Sequence, residues 1–127
     1  MKKQFATLVL GFAALAALSG CMVVAAGALA GGGTYAYVSG WGEQTYNVDV
    51  ADAYDASLRA CSALGLYVEE KSRSLSDASV SAKDGDTPVW IKMKSLNPKV
   101  TQVRIRVGYL GDEPATQRVH QALRNQL

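Results

Sequence analysis

The chain has 127 residues, a length that suits one domain with short accessory segments. Its formal charge is +2, but Lys2 and Lys3 stand at its start, and the remaining 11 basic residues equal the 11 acidic ones. A domain without a basic excess is not expected to bind nucleic acid, because such binding normally rests on one.

Residues 1–20 have the pattern of a secretory signal. Lys2 and Lys3 precede an apolar run over residues 5–18, which is shorter than the roughly 20 residues that a membrane-spanning helix needs. The run ends in Leu18-Ser19-Gly20-Cys21, which resembles the lipobox of bacterial lipoproteins. This resemblance implies cleavage before Cys21 and attachment of a diacylglycerol and an N-acyl chain there. We expect this covalent lipid on Cys21 and no other cofactor.

The residue after the cysteine bears on localisation. In lipoproteins of this kind an Asp at that position signals retention at the inner membrane, and this chain has Met22 instead. The resemblance therefore implies anchoring in the outer membrane, with the protein facing the periplasm. Acylation of Cys21 leaves Cys61, the only other cysteine, without a partner, so no intramolecular disulfide is expected.

Residues 21–42 are predicted to be a tether rich in Gly and Ala. In an alternative interpretation the signal stays uncleaved and residues 5–30 span the membrane, with Gly27 and Gly31 at a spacing that packs transmembrane helices. The run Gly31-Gly32-Gly33 favours a flexible joint instead. Two placements stay open for the aromatic residues that follow, which lie either at the level of the lipid headgroups or over the edge of the domain: Tyr35, Tyr37 and Trp41.

Residues 43–127 are predicted to form one α+β domain. The alternation that starts at Glu43 predicts a strand, and Asp49 is the candidate N-cap of a helix that ends before Gly65. Alternating aliphatic residues predict four further strands, at residues 66–69, 78–83, 89–94 and 102–107. A last helix follows, with Asp112 or Glu113 as its candidate cap.

The predicted element order is β-α-β-β-β-β-α. The four later strands can form an antiparallel meander that carries its aliphatic residues on one face. That face must be covered by other elements, and the two helices are the elements available. The prediction is a two-layer sandwich, in which both helices pack on one face of an antiparallel sheet.

Four short runs of residues resemble a known family. They are Tyr37-Val38-Ser39-Gly40, Leu64-Gly65-Leu66, Ile105-Arg106-Val107-Gly108 and Gly111-Asp112-Glu113. Together they are similar to a family of small bacterial lipoproteins catalogued as domain of unknown function 3568. The resemblance covers nearly the whole mature chain and implies a lipoprotein with a compact domain, but no activity. Members often have a Ser early in the last helix, where this chain has Ala115-Thr116, so no role of that hydroxyl is carried over.

The residues that can carry catalysis are few and isolated. His120 is the only histidine; we predict that it faces solvent or the flank of its helix, and no Cys/His cluster offers it a shared metal. Cys61 lies on the apolar stripe of the first helix and is interpreted as a small buried hydrophobic residue. Glu69-Glu70 point to opposite faces of a strand, and Asp112-Glu113 suit helix capping. We expect no catalytic residues, no metal site and no enzymatic activity.

The outward face of the last two predicted strands is the candidate binding surface. If these strands pair across the turn between them, Lys92 lies opposite Arg104 and Trp90 opposite Arg106. A cation–π contact between Trp90 and Arg106 can then offset the repulsion between neighbouring cations. The candidate ligand-binding residues are Trp90, Lys92, Lys94, Arg104 and Arg106. They suit an anionic ligand, and the alternative is an ordinary solvated sheet face.

These patterns favour a membrane-anchored envelope lipoprotein that acts as an interaction or scaffolding protein, with an envelope protein as its partner. The alternative hypothesis is a binding module for an anionic envelope ligand, such as lipid phosphate or lipopolysaccharide, which uses the basic and aromatic sheet face. Neither hypothesis includes nucleic acid as a partner, and the sequence predicts no oligomeric state.

Overall fold

The computed structural model describes residues 35–127, and this range forms six strands and two helices. In chain order they are β1 (Ala36–Val38), β2 (Trp41–Tyr46), α1 (Val50–Ala63), β3 (Tyr67–Arg73), β4 (Asp77–Asp84), β5 (Thr87–Asn97), β6 (Val100–Val107) and α2 (Glu113–Asn125). The predicted order β-α-β-β-β-β-α is confirmed, with the short strand β1 added before it. All six strands belong to one antiparallel sheet, which confirms the predicted α+β class.

The strands lie side by side in the order β1-β2-β6-β5-β4-β3. Strands β3 to β6 form the predicted meander, in which each strand pairs with the next one along the chain. Strand β2 pairs with β6, and this places Glu43 opposite Arg104. Because β2 and β3 lie towards opposite edges of the sheet, helix α1 between them crosses the sheet.

The core lies between the two helices and one face of the sheet. Burial alternates along the central strands, so that Ile91 and Ile105, which face each other in register, are both completely buried. They belong to a single apolar cluster that also contains Ala53 from α1 and Leu123 from α2. Among the described residues no element covers the other side of the sheet, which we call the open face. Its central residues are Trp41, Glu43, Trp90, Lys92, Lys94, Arg104 and Arg106.

The helix ends follow the predicted caps. The Asp49 carboxylate accepts a hydrogen bond from the backbone N–H of Asp52 at 2.7 Å, and the Asp112 carboxylate accepts one from the N–H of Ala115 at 3.1 Å. Helix α1 ends before Gly65, whose φ of +71° suits a residue without a side chain. These contacts fix where each helix begins or ends above the sheet.

The sheet extends into the range 21–42 that the sequence assigned to the tether. Strand β1 lies wholly within that range, and β2 begins at Trp41. Gly42 marks a close approach of β2 to α2, because a Cβ atom on Gly42 would lie 2.4 Å from Cγ2 of Thr116. The glycines here therefore serve packing of the domain. Tyr35 lies edge-on to the ring of His120, with 5.7 Å between ring centroids, so this aromatic residue covers the edge of the domain.

The predictions for residues 1–20, Cys21 and residues 22–33 lie outside the described residues. Between residues 35 and 127, neither helix combines the length and apolarity that crossing a membrane takes.

Candidate functional site

The predicted pairing of β5 with β6 is confirmed. Lys92 lies opposite Arg104 and Trp90 opposite Arg106, with their side chains on the open face. Lys94 is two residues beyond Lys92 on β5 and therefore shares that face. The structure thus brings the five predicted residues together on one surface, which is at least partly exposed at each of them.

The aromatic ring that makes the cation–π contacts is that of Trp41. Trp90 and Arg106 are cross-strand neighbours as predicted, but the predicted cation–π contact between them was wrong. The Trp41 ring centroid lies 4.9 Å from Cζ of Arg104, 5.3 Å from Nζ of Lys92 and 6.0 Å from Cζ of Arg106. The ring of Trp90 lies edge-on to Tyr109 instead, at 5.9 Å. The reason is that β2 pairs with β6 and so places an indole beside the row of cations, where it partly offsets their mutual repulsion.

The guanidinium of Arg106 is bound by backbone carbonyl groups. Its Nε donates to the carbonyl oxygen of Gly108 at 3.3 Å, its Nη1 to that of Ser39 at 3.4 Å, and its Nη2 to that of Tyr109. Ser39 belongs to the turn between β1 and β2, whereas Gly108 and Tyr109 belong to the loop between β6 and α2. Arg106 therefore connects two loops and has a structural role on the face where a ligand contact was predicted.

Two lysines remain as unpaired charges on the open face. Glu43 lies with its Oε1 2.8 Å from Nε of Arg104, in a partly exposed ion pair that contributes at most about 1 kcal/mol. Within residues 35–127, neither Lys92 nor Lys94 forms an ion pair, and both side chains are exposed. An anion can therefore meet these two ammonium groups without breaking the ion pair of Arg104 or the hydrogen bonds of Arg106 to the loop carbonyls.

A groove of about 510 Å³ lies on the open face beside the two lysines. Its polar lining consists of Lys92, Lys94, Arg104, Glu43, Asp77, Gln102, Ser72, Ser76, Ser79 and Ser95. Both carboxylates have partners, since Glu43 is paired with Arg104 and Asp77 accepts a hydrogen bond from Oγ of Ser74 at 2.8 Å. Cations together with hydroxyl donors suit an anion that presents several oxygen atoms.

A second hollow, of about 350 Å³, adjoins the groove at Lys92. Its other lining residues are aromatic or already bound: Trp41, Trp90, Arg106 and Tyr109. Sequence reasoning missed both Trp41 and Tyr109 as members of this surface. The signal for Trp41 was present in the parity of the strand, because Trp41 and Glu43 share the side of Thr45 and lie opposite the side of Tyr46.

His120 is buried, and the prediction that it faces solvent or the flank of its helix was wrong. Its side chain is 1 % exposed, and its Nε2 lies 2.8 Å from the carbonyl oxygen of Gly42. Its Nδ1 lies 2.7 Å from the hydroxyl oxygen of Tyr46. A carbonyl can only accept, so Nε2 carries the proton and Nδ1 accepts from Tyr46. The imidazole is turned inwards because it satisfies these two groups of β2.

Burial sets the ionisation of this histidine. Removal from water lowers the pKa of His120 to about 4, and the nearby Arg124 acts in the same direction. Burial likewise raises the pKa of the Tyr46 hydroxyl well above its ordinary value. The pair therefore stays neutral at physiological pH and holds β2 against α2, which is a structural function.

Cys61 is completely buried on α1, which confirms the interpretation as a small hydrophobic residue. Burial raises the pKa of its thiol and so disfavours the reactive thiolate. Within the described range no three residues among His, Cys, Asp and Glu lie close enough together to hold a metal ion. The open face is thus the candidate site on geometric grounds.

Comparison with known proteins gives a match over most of the sequence. Residues 3–126 match the family described as "Protein of unknown function (DUF3568)". No curated protein matches the chain. Since the matched range covers nearly all 127 residues, the chain belongs to the DUF3568 family.

Proposed function

We propose that the protein is an envelope lipoprotein, anchored to a membrane by lipid on Cys21, whose domain binds phosphate-bearing lipids through the open face. The lipobox-like run that ends at Cys21 supports the anchor. The observation that carries the binding role is the pair of exposed lysines, Lys92 and Lys94, which have no ion-pair partner within residues 35–127 and lie beside a hydroxyl-lined groove.

The chemistry of the groove favours binding over catalysis. A bound phosphate would meet the ammonium groups of Lys92 and Lys94 and the hydroxyl groups along β4 and β5. No nucleophile paired with a base lines the groove, and the histidine of the described domain is neutral and buried away from it. We therefore propose a non-enzymatic protein, with outer-membrane phospholipid or lipopolysaccharide as the source of the phosphate.

Reversal of the two lysine charges tests this function. A chain of residues 21–127 that is expressed without the signal and carries Cys21→Ala has no lipid of its own. It is expected to sediment with vesicles that contain phosphatidylglycerol and much less with vesicles of phosphatidylcholine alone. Added salt should weaken the binding, because exposed charges are screened. Lys92→Glu with Lys94→Glu should abolish the preference for phosphatidylglycerol. Arg106 is unsuitable for this test, since its replacement would release two loops.

A matched control carries the same change in net charge elsewhere. Lys71→Glu with Arg118→Glu alters two exposed cations outside the groove and should bind like the parent chain. Equal binding by both double variants would contradict the proposed site.

An interaction or scaffolding role with an envelope protein is the second candidate. The open face also suits an acidic protein surface, because its two free ammonium groups need only an opposite charge. Crosslinking in intact cells from Lys92 distinguishes the two. Scaffolding would be favoured if crosslinking recovers one acidic envelope protein and if the chain sediments equally with vesicles that contain or lack phosphatidylglycerol.

A further inference from the structure

One end of the sheet exposes a group of large apolar side chains. Val38 in β1 is 53 % exposed, and Tyr109 and Leu110, in the loop between β6 and α2, are 73 % and 94 % exposed. We call these three residues the apolar tip. Full exposure of an aliphatic side chain such as that of Leu110 has no role in the fold, and clustered exposed apolar groups mark contact surfaces.

The tip is continuous with the two tryptophans of the open face. Val38 pairs with Trp41 across the β1–β2 hairpin, and Tyr109 contacts the ring of Trp90. These are the only two tryptophans of the chain. The same corner of the domain therefore presents two indoles, a phenol and two aliphatic side chains.

The backbone holds this corner in one shape. Arg106 binds carbonyl groups of both loops, and a Cβ atom on Gly111 would lie 2.7 Å from Cα of Gly40. The positive φ of both glycines, +85° for Gly40 and +82° for Gly111, suits this close approach. The tip is thus preorganised for contact, so little conformational freedom is lost when a partner binds.

Charge beside the tip identifies the partner. Lys92 lies over the ring of Trp41, and it is exposed and unpaired within the described range. Tryptophan and tyrosine concentrate at membrane–water interfaces, where the apolar part of the ring meets acyl chains and the polar atom meets headgroups. Proteins that bind at the membrane interface combine aliphatic groups that enter the bilayer with nearby cations that contact anionic headgroups.

We propose that the apolar tip inserts into the headgroup region of a lipid bilayer and orients the domain on the membrane that anchors it. The chain enters the described structure at Tyr35, directly before the strand that carries Val38. The proposed anchor at Cys21 lies 14 residues earlier, within reach of the tip even along a short path. This inference rests on the proposed anchor and adds a second contact, through side chains of the domain.

The experiment uses the acylated mature chain, purified from membranes and inserted into vesicles of phosphatidylcholine and phosphatidylglycerol. Lipids with brominated acyl chains quench tryptophan fluorescence only at short range, and both tryptophans adjoin the tip. We expect brominated vesicles to reduce the emission relative to unbrominated ones. Leu110→Asp is expected to remove most of this quenching without unfolding the domain, because the side chain is exposed.

Leu75→Asp is the matched control. Leu75 is fully exposed in the turn between β3 and β4, at the opposite end of the sheet, so its replacement should leave the quenching unchanged. Equal loss in both variants would overturn the assignment to the tip. A dimer in solution that Leu110→Asp dissociates would make a second copy, and not the bilayer, the occupant.

The outcomes separate this inference from the proposed function. A chain that floats with the vesicles but shows no quenching retains the anchor and overturns docking through the tip. Quenching that depends on Leu110 but is equal with and without phosphatidylglycerol supports docking and contradicts the anionic part of the proposed function.

Discussion

One buried histidine connects β2 to α2, and its position admits only the neutral ring. The Gly42 carbonyl requires a proton on Nε2, and the Tyr46 hydroxyl donates to Nδ1. Protonation would bury a positive charge near Arg124, without a carboxylate among the groups that set the pKa of His120. The interaction therefore stabilises the fold only while the imidazole is neutral.

His120 makes the stability of the domain depend on pH. Its pKa of about 4 in the folded state is below the value of 6.5 for a free side chain, so the unfolded state binds the proton more tightly. The contribution is complete above about pH 6.5 and falls with decreasing pH, by about 3 kcal/mol at pH 4. Urea denaturation at several pH values across this window measures the loss.

Replacement of the histidine isolates its share of that pH dependence. His120→Gln should lower the free energy of unfolding at neutral pH by about 2 kcal/mol, because it disturbs two buried hydrogen bonds. The same variant should show a shallower fall in stability between about pH 6.5 and pH 4, since only carboxylates still titrate there. Identical slopes for parent and variant would show that another group causes the acid sensitivity.

At the scale of elements, the meander was predictable because its strands alternate strictly. Ile91 stands between Trp90 and Lys92, and Ile105 stands between Arg104 and Arg106. Parity gave the face of each residue, and pairing across the turn then placed Lys92 opposite Arg104. The helix caps were equally predictable, since Asp49 and Asp112 stand where the first turn of each helix needs a hydrogen-bond acceptor. Strand alternation and helix caps can be recognised in the sequence because the residues that define them are close together along the chain.

The missed features depend on contacts between distant elements. Strand β1 and Trp41 lie in the range 21–42, whose Gly- and Ala-rich composition predicts a tether, whereas Gly40 and Gly42 stand where the backbone is closely packed. The sequence did not predict that His120 points inwards, because its hydrogen-bond partners Tyr46 and Gly42 lie on β2, 74 and 78 residues away along the chain. Apolar periodicity finds the apolar side of a helix, but it cannot find a polar residue whose partners lie on another element.

Packing between β2 and α2 gives a prediction at this scale. Gly42→Ala would place a methyl group 2.4 Å from Cγ2 of Thr116 and 2.9 Å from the hydroxyl oxygen of Tyr35. We expect the variant to lose about 1–3 kcal/mol of stability, although alanine is normally favoured over glycine in a strand. Thermal or urea denaturation of the variant measures the cost.

Thr116→Ser provides the matching rescue, because it removes only the methyl group in the way. The double variant should be more stable than Gly42→Ala alone, and a double-mutant cycle gives the coupling between the two positions. Additive effects would mean that the cost arises elsewhere in β2.

At the scale of the whole molecule, the two cysteines of the chain have different environments in the sequence. Cys61 is completely buried on α1, so its thiol contributes to packing. Cys21 follows an apolar run and a lipobox-like sequence. Because the thiol of Cys61 is used in packing, Cys21 is the cysteine that remains for the proposed lipid.

Cys21→Ala is therefore expected to abolish attachment of lipid. Two or more acyl chains hold a protein at a membrane far more strongly than one, because each buried methylene contributes about 0.8 kcal/mol. Metabolic labelling with a fatty-acid analogue should mark the parent chain but not the variant, and mass spectrometry should find residues 1–20 still attached in the variant. Cys61→Ala is the control: it removes the only other thiol of the chain and should be labelled and cleaved like the parent. Labelling that follows Cys61 instead would refute the anchor, because a thiol buried in α1 reacts only when the domain opens.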